Sequence, residues 1–127
     1  MANSQPLAAR PEEAIGMAEK ALRLNPRHPF FSLTVLGRAY SLTGRYEEAI
    51  ATLKKSLNAN LHYLPPYIIL AAIYSELGRE EEARAEAAKI LRLNPNFSLE
   101  VHKQRSPLKD PVALGRQLAA LRKAGLK

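Results

Sequence analysis

The sequence predicts an all-α protein assembled from stacked helix–turn–helix units, and three observations predict it. The chain repeats itself at a period of 34 residues. Apolar residues within each copy recur at helical spacing. Glycine and Asn-Pro pairs punctuate the copies at matching points. A repeat of this length means supersecondary units that bury their apolar faces against one another.

Leu36-Gly37-Arg38-Ala39-Tyr40 stands 34 residues before Leu70-Ala71-Ala72-Ile73-Tyr74. Gly44-Arg45-Tyr46-Glu47-Glu48-Ala49 stands the same distance before Gly78-Arg79-Glu80-Glu81-Glu82-Ala83. A half-copy, Pro11-Glu12-Glu13-Ala14, lies 35 residues before Tyr46 to Ala49. The copies close on Leu24-Asn25-Pro26, Ala59-Asn60-Leu61 and Leu93-Asn94-Pro95.

Each copy reads as two helices. Tyr67, Leu70, Ala71 and Tyr74 recur at i, i+3, i+4 and i+7, one helical face. Gly78 follows at the place where a helix ends, because glycine tolerates φ > 0. Glu80, Glu81 and Glu82 open the next helix, where negative charge complements the helix dipole. Its apolar stripe is Ala83, Ala87, Ile90 and Leu91. Asn94-Pro95 ends it, since proline cannot extend the hydrogen-bond ladder. The preceding copy repeats the plan with Leu33, Leu36, Gly37 and Tyr40, then Ala49, Leu53, Ser56 and Leu57. Small residues at 37, 71, 49 and 83 let paired backbones approach closely.

The Leu-Gly-x-x-Tyr, Gly-turn, Glu-Glu-Ala and Leu-Asn-Pro set resembles the tetratricopeptide repeat (TPR). The resemblance covers residues 11–95 and implies a short right-handed α-solenoid of TPR helix–turn–helix units with C-terminal capping helices. Residues 1–10 are read as a disordered or partial N-terminal segment. A half repeat occupies 11–26, full repeats occupy 29–61 and 63–95, and a helical cap occupies 96–127. Leu61 in place of the terminal proline, and Ile90 where the family prefers a small residue, depart from the consensus. Ten residues before Pro11 are too few for a full first helix, so the chain reads as part of a longer protein. Self-association through that incomplete repeat is the expectation that follows.

In the cap, Ser98 is placed to start a short helix through Gln104, which Ser106-Pro107 breaks. Asp110-Pro111 pairs an N-cap with the one helical position that favours proline. Leu114, Leu118 and Leu121 form the apolar face of that second helix, Arg116 and Lys123 its charged side, and Gly125 its end. The strings Asn96-Phe97-Ser98-Leu99-Glu100, Lys109-Asp110-Pro111 and Leu121-Arg122-Lys123-Ala124-Gly125-Leu126 are similar to the tail of the C-terminal TPR region of bacterial class III adenylate/guanylate cyclases and related winged-helix regulators. That similarity implies the accessory region of a larger bacterial signalling protein. No cyclase motif is present, so it implies no catalytic residue.

Composition narrows the function. The chain has no cysteine, which removes disulfides, thiolate metal sites and a cysteine nucleophile. No apolar stretch reaches the ~20 residues of a membrane span. No signal peptide is recognisable, so a cytoplasmic protein is expected. The formal charge is +7, and residues 96–127 hold seven Lys/Arg against two Asp/Glu. His28, His62 and His102 are scattered, without the clustered spacing of metal ligands. Glu80 to Glu82 point in different directions on a helix and make no acid/base pair. The reading is a protein-binding scaffold that is not an enzyme, with no cofactor and no metal.

The resemblance places first-helix residues on a partner-binding groove. These are Phe31, Thr34, Arg38, Ser41 and Leu42 in one copy, then Pro65, Ile68, Ala72, Ser75 and Glu76 in the next, with His62 and Tyr63 from the turn before it. The first helix of the third copy is apolar nearly all round, which requires cover on more than one side, from neighbouring helices or from a partner. A carboxylate clamp is disfavoured, because these positions offer Arg38 and no Asn. The alternative function is nucleic-acid or anionic-surface binding through Lys103, Arg105, Lys109, Arg116 and Lys123. It lacks the recognition motif or stacking aromatics that nucleic-acid binding usually adds.

Overall fold

The computed structural model describes residues 11–24, 29–106, 108 and 110–127. The expectations for residues 1–10, Asn25, Pro26, His28, Pro107 and Lys109 lie outside the described residues. Among those described there are seven α-helices and no strand. They are α1 (Pro11–Leu24), α2 (Pro29–Leu42), α3 (Tyr46–Ala59), α4 (Leu64–Glu76), α5 (Glu80–Leu93), α6 (Leu99–Arg105) and α7 (Pro111–Lys123). The chain forms two compact units, one through Leu61 and one from His62 onward.

Three helices end in the same way. The Arg45 N–H donates to the Tyr40 carbonyl at 2.9 Å, and the Gly44 N–H donates to Ser41 at 3.2 Å. Arg79 to Tyr74 (2.8 Å) and Gly78 to Ser75 (3.2 Å) repeat the pattern one period later. Leu126 to Leu121 (3.1 Å) and Gly125 to Arg122 (3.0 Å) close α7. These paired bonds satisfy carbonyls that the helix itself leaves open. They require φ > 0 at the residue just past the helix, and Gly44, Gly78 and Gly125 sit at +80°, +77° and +105°.

The arginine after each repeat glycine then starts the next helix. Arg45 grips the Glu48 carboxylate through Nε and Nη2 at 2.7 and 2.9 Å, and Arg79 grips Glu82 at 2.6 and 2.8 Å. The same guanidinium groups lie over the rings of Tyr40 and Tyr74, at 4.7 and 4.9 Å from the centroids. The hydrogen bond to Glu48 raises the Arg45 pKa above its ordinary value. The ion pairs are exposed and add little stability singly; their geometry orients both helices about the turn.

In the first unit α2 packs against both α1 and α3. Ile15, Leu36, Ala39, Tyr40, Ala49, Ile50, Leu53 and Leu57 form its core. The expected close approach is present: a Cβ added at Gly37 would lie 2.6 Å from both Cγ and Cδ2 of Leu53. A buried polar link sits one turn away. The Thr34 and Ser56 hydroxyls stand 2.8 Å apart, and both reach the Phe30 carbonyl, at 2.8 and 2.7 Å. One period later the equivalent positions hold Ile68 and Ile90, both buried and apolar, on the paired helices α4 and α5.

In the second unit α4 is buried at ten consecutive residues, Pro66 to Ser75. It packs against α5 and against α7, and α6 packs on α7. An all-round apolar helix is stable only when several sides are covered, and this unit covers it twice from its own chain. The α5 stripe differs from the expected one. Ala83, Ala87 and Ile90 are buried, Leu91 is exposed, and Glu86 is buried instead, with Oε2 3.4 Å from Lys89 Nζ. Residue 86 lies one turn from both 83 and 90, whereas residue 91 is rotated ~100° from Ile90 toward solvent.

Both N-caps foreseen in the C-terminal region are present. Ser98 Oγ accepts from the N–H groups of Glu100 and Val101, and the Asp110 carboxylate accepts from Val112 N–H. α6 runs one residue beyond the expected Gln104. Leu121, Ala124 and Leu126 are buried with Leu99, whose N–H donates to the Lys127 carbonyl at 3.0 Å. Leu114 and Leu118 are only half-buried, so the expected apolar face of α7 is deepest at its C-terminal end. His102 Nε2 lies 2.8 Å from Gln117 Oε1 and ties α6 to α7. Gly115 sits inside α7, and a Cβ there would meet nothing within 4 Å. An interior glycine of that kind costs a helix about 0.5–1 kcal/mol relative to alanine.

Candidate functional site

The groove expected from the sequence divides into covered and open positions. Thr34 is 1% exposed and spends its hydroxyl on Ser56 and Phe30, so it faces α3. Ile68, Ala72 and Ser75 are buried in the second unit, where α5 and α7 flank α4. Those four residues serve packing and offer a partner no surface as the chain stands. Within the unit, α5 and α7 each cover part of α4. Tyr63 and Pro65 are half-buried at the start of α4, and His62 is exposed in the turn before it.

The open positions lie on α2. Phe31 is 59% exposed and Leu42 is 38% exposed. Arg38 and Val35 are half-buried between them. Residues 31, 35, 38 and 42 step by four, three and four, so they form one row along the helix. The row pairs an aromatic ring and two aliphatic side chains with the single charge on α2. Ser41 is half-buried and donates its hydroxyl to the Arg38 carbonyl at 2.7 Å, which closes the helix end and leaves it a minor part of the surface.

Val35 is the member that sequence reasoning missed. Its signal was available, since it lies at i+4 from Phe31 and i−3 from Arg38. The expectation followed repeat equivalence instead, which selected Thr34. One residue on a helix is a rotation of ~100°, enough to move a side chain from surface to core.

α2 holds this row rigidly. Gly37 and Thr34 set α2 against α3, Leu36 and Tyr40 anchor it in the core, and the Gly44 turn closes its end. A rigid helix presenting separated apolar anchors can bind an apolar or amphipathic segment without reordering. The row brings together no nucleophile, base or pair of carboxylates.

The basic residues of the cap belong to the second unit. Lys103 and Arg105 on α6, and Arg116 and Lys123 on α7, are all exposed, while Lys109 lies outside the described residues. Arg116 reaches Glu76 of α4 at 3.5 Å. No helix among the described residues is long and apolar enough to cross a membrane.

A family model described as "Tetratricopeptide repeat" matches residues 7–67 and 43–105 of the chain. No match appears among curated proteins. Among solved structures, the crystal structure of MamA resembles this chain with a TM-score of 0.64 at 21% identity. The likeness covers 90% of this chain and 66% of the MamA chain, just under two thirds of that protein's length. At that identity it speaks for the fold.

Proposed function

The chain belongs to the tetratricopeptide-repeat family, and from that premise we propose that it is a protein-binding scaffold module whose contact surface is the α2 row. The observation that carries the site is the exposure of Phe31 and Leu42 at the two ends of one helical row, with Val35 and Arg38 between them. Members of the family typically bind other proteins and are not enzymes. The partner is a peptide or a helix with apolar side chains spaced to meet the row.

Selection from a random peptide library displayed on phage tests the site. Phe31→Asp and Leu42→Asp are expected to lose the peptides that the wild-type chain enriches, with at least tenfold weaker binding. Both residues are exposed, so the far-ultraviolet dichroism should be unchanged. Enriched peptides that bind both variants as tightly as the wild type would move the contact surface off α2.

The finer setting, a regulatory region of a larger bacterial signalling protein in the cytoplasm, rests on the C-terminal strings alone. The matched family model runs to residue 105 and leaves most of those strings outside it. Self-association through α1 is carried by the exposure of Met17 on that helix. Sedimentation velocity over a rising concentration series is expected to show a growing mass; a constant monomer mass removes this part of the proposal.

A further inference from the structure

The outer face of α7 is built unlike the outer face of any other helix in the second unit. Val112, Arg116, Ala119 and Lys123 step by four, three and four along it, and all four are exposed. Gly115, Ala119 and Arg122 form a second exposed row beside the first. α7 contains no acidic residue. Arg122 and Lys123 take no ion pair among the described residues, and Arg116 is 66% exposed while it touches Glu76.

Two features of this face are left open by the described residues. Val112 is 71% exposed, the most exposed large apolar side chain among the described residues. Gly115 weakens the helix, yet nothing packs within 4 Å of where its Cβ would be. Beside a partner helix both gain a purpose. Small residues at 115 and 119 allow a second helix axis to come close, since interaxial distance follows side-chain size at the contact. Val112 then has an apolar neighbour. Arg116 and Lys123 stand about two turns apart, ~10 Å along the axis, matching acidic side chains at the same spacing on another helix.

We propose that this face is a docking strip for an acidic, helical segment of a partner protein. The cations select negative charge, and the small residues together with Val112 select a helix as its carrier. A nucleic acid would use the cations alone, since α7 has no aromatic side chain for base stacking. A membrane surface would find only Val112 to insert. The strip belongs to the second unit, and its test does not depend on the α2 row.

The test uses the full chain and two labelled probes followed by fluorescence anisotropy at ~0.15 M salt. One probe is an amphipathic peptide of ~20 residues with glutamates flanking an alanine–leucine face. The other is a random-sequence DNA duplex. The peptide is expected to bind saturably. The double variant Arg122→Glu/Lys123→Glu should weaken it about tenfold or more. Gly115→Leu keeps every charge and fills the gap, and should weaken the peptide about fivefold while leaving the DNA signal unchanged. Gly115→Ala should bind like the wild type. Dichroism checks that each variant keeps its helix content. No saturable peptide binding by the wild-type chain overturns the proposal. So does a Gly115→Leu variant that binds the peptide normally while charge reversal weakens peptide and DNA alike, because the face is then a generic cationic surface.

Discussion

Aspartate in place of Ile68 is expected to destabilise the second unit by about 3–5 kcal/mol, enough to unfold it under ordinary conditions. Ile68 is 7% exposed on α4, within the run buried from Pro66 to Ser75. A carboxylate buried there would lose its hydration within a run of buried, mostly apolar residues. The equivalent position one repeat earlier, Thr34, is polar only because Ser56 and the Phe30 carbonyl answer it. Urea unfolding followed by dichroism, with amide exchange to locate the loss, measures the effect. Protection in α4 and α5 should collapse. Phe31→Asp, on exposed surface, should cost less than ~0.5 kcal/mol. A stable, cooperatively folded Ile68→Asp variant would mean that α4 is covered less completely than the structure shows. The contrast also decides which variants can probe binding: a change at 68 reports on folding, one at 31 on recognition.

The second large effect lies where α2 meets α3. Gly37→Ala should destabilise the first unit by about 1–3 kcal/mol, although alanine is the better helix former. The added methyl would sit 2.6 Å from two carbon atoms of Leu53, which is fully buried, so the side chain or the helix must shift. Leu53→Ala alone should cost about 2–5 kcal/mol through the cavity it leaves. The double variant should cost less than the sum by at least ~1 kcal/mol, because each change relieves the other. The third copy already contains that solution, with Ala71 and Ala87 buried at the equivalent positions. Thermal and urea unfolding of the four proteins measures the coupling. Additivity within ~0.5 kcal/mol would show that the two side chains do not share the space.

The paired copies differ in how they fill the same room. Leu53 with Ser56 places the bulk on one turn of α3, and Ala87 with Ile90 places it on the next turn of α5. Ile90 looks like a departure from the family pattern when its position is considered alone. Considered with Ala87 one turn before it, Ile90 redistributes volume along the buried face of α5, where both are buried.

Much of the molecule is legible in the sequence. The helices, the glycine turns at 44, 78 and 125 and the Ser98 and Asp110 caps all follow from local rules. Backbone sterics, missing donors and side-chain spacing act within a few residues, so the chain displays them directly. The row proposed as the contact surface is less legible. Repeat equivalence names Phe31, Arg38 and Leu42 but not Val35, and it also names Thr34, Ile68, Ala72 and Ser75, which are buried. Repeat equivalence carries a position from one copy to the next, but it says nothing about what covers that position.

The amino-acid order alone determined the all-α class, the 34-residue repeat, the turn chemistry and the charged character of the cap, because each depends on interactions between near neighbours in the chain. Only the tertiary structure decided that α7 lies on α4, that Arg116 reaches Glu76, and that the open apolar row is on α2. Exposure is a property of the packed arrangement. An apolar face is core or binding surface according to whether another helix reaches it, and that contact joins residues tens of positions apart.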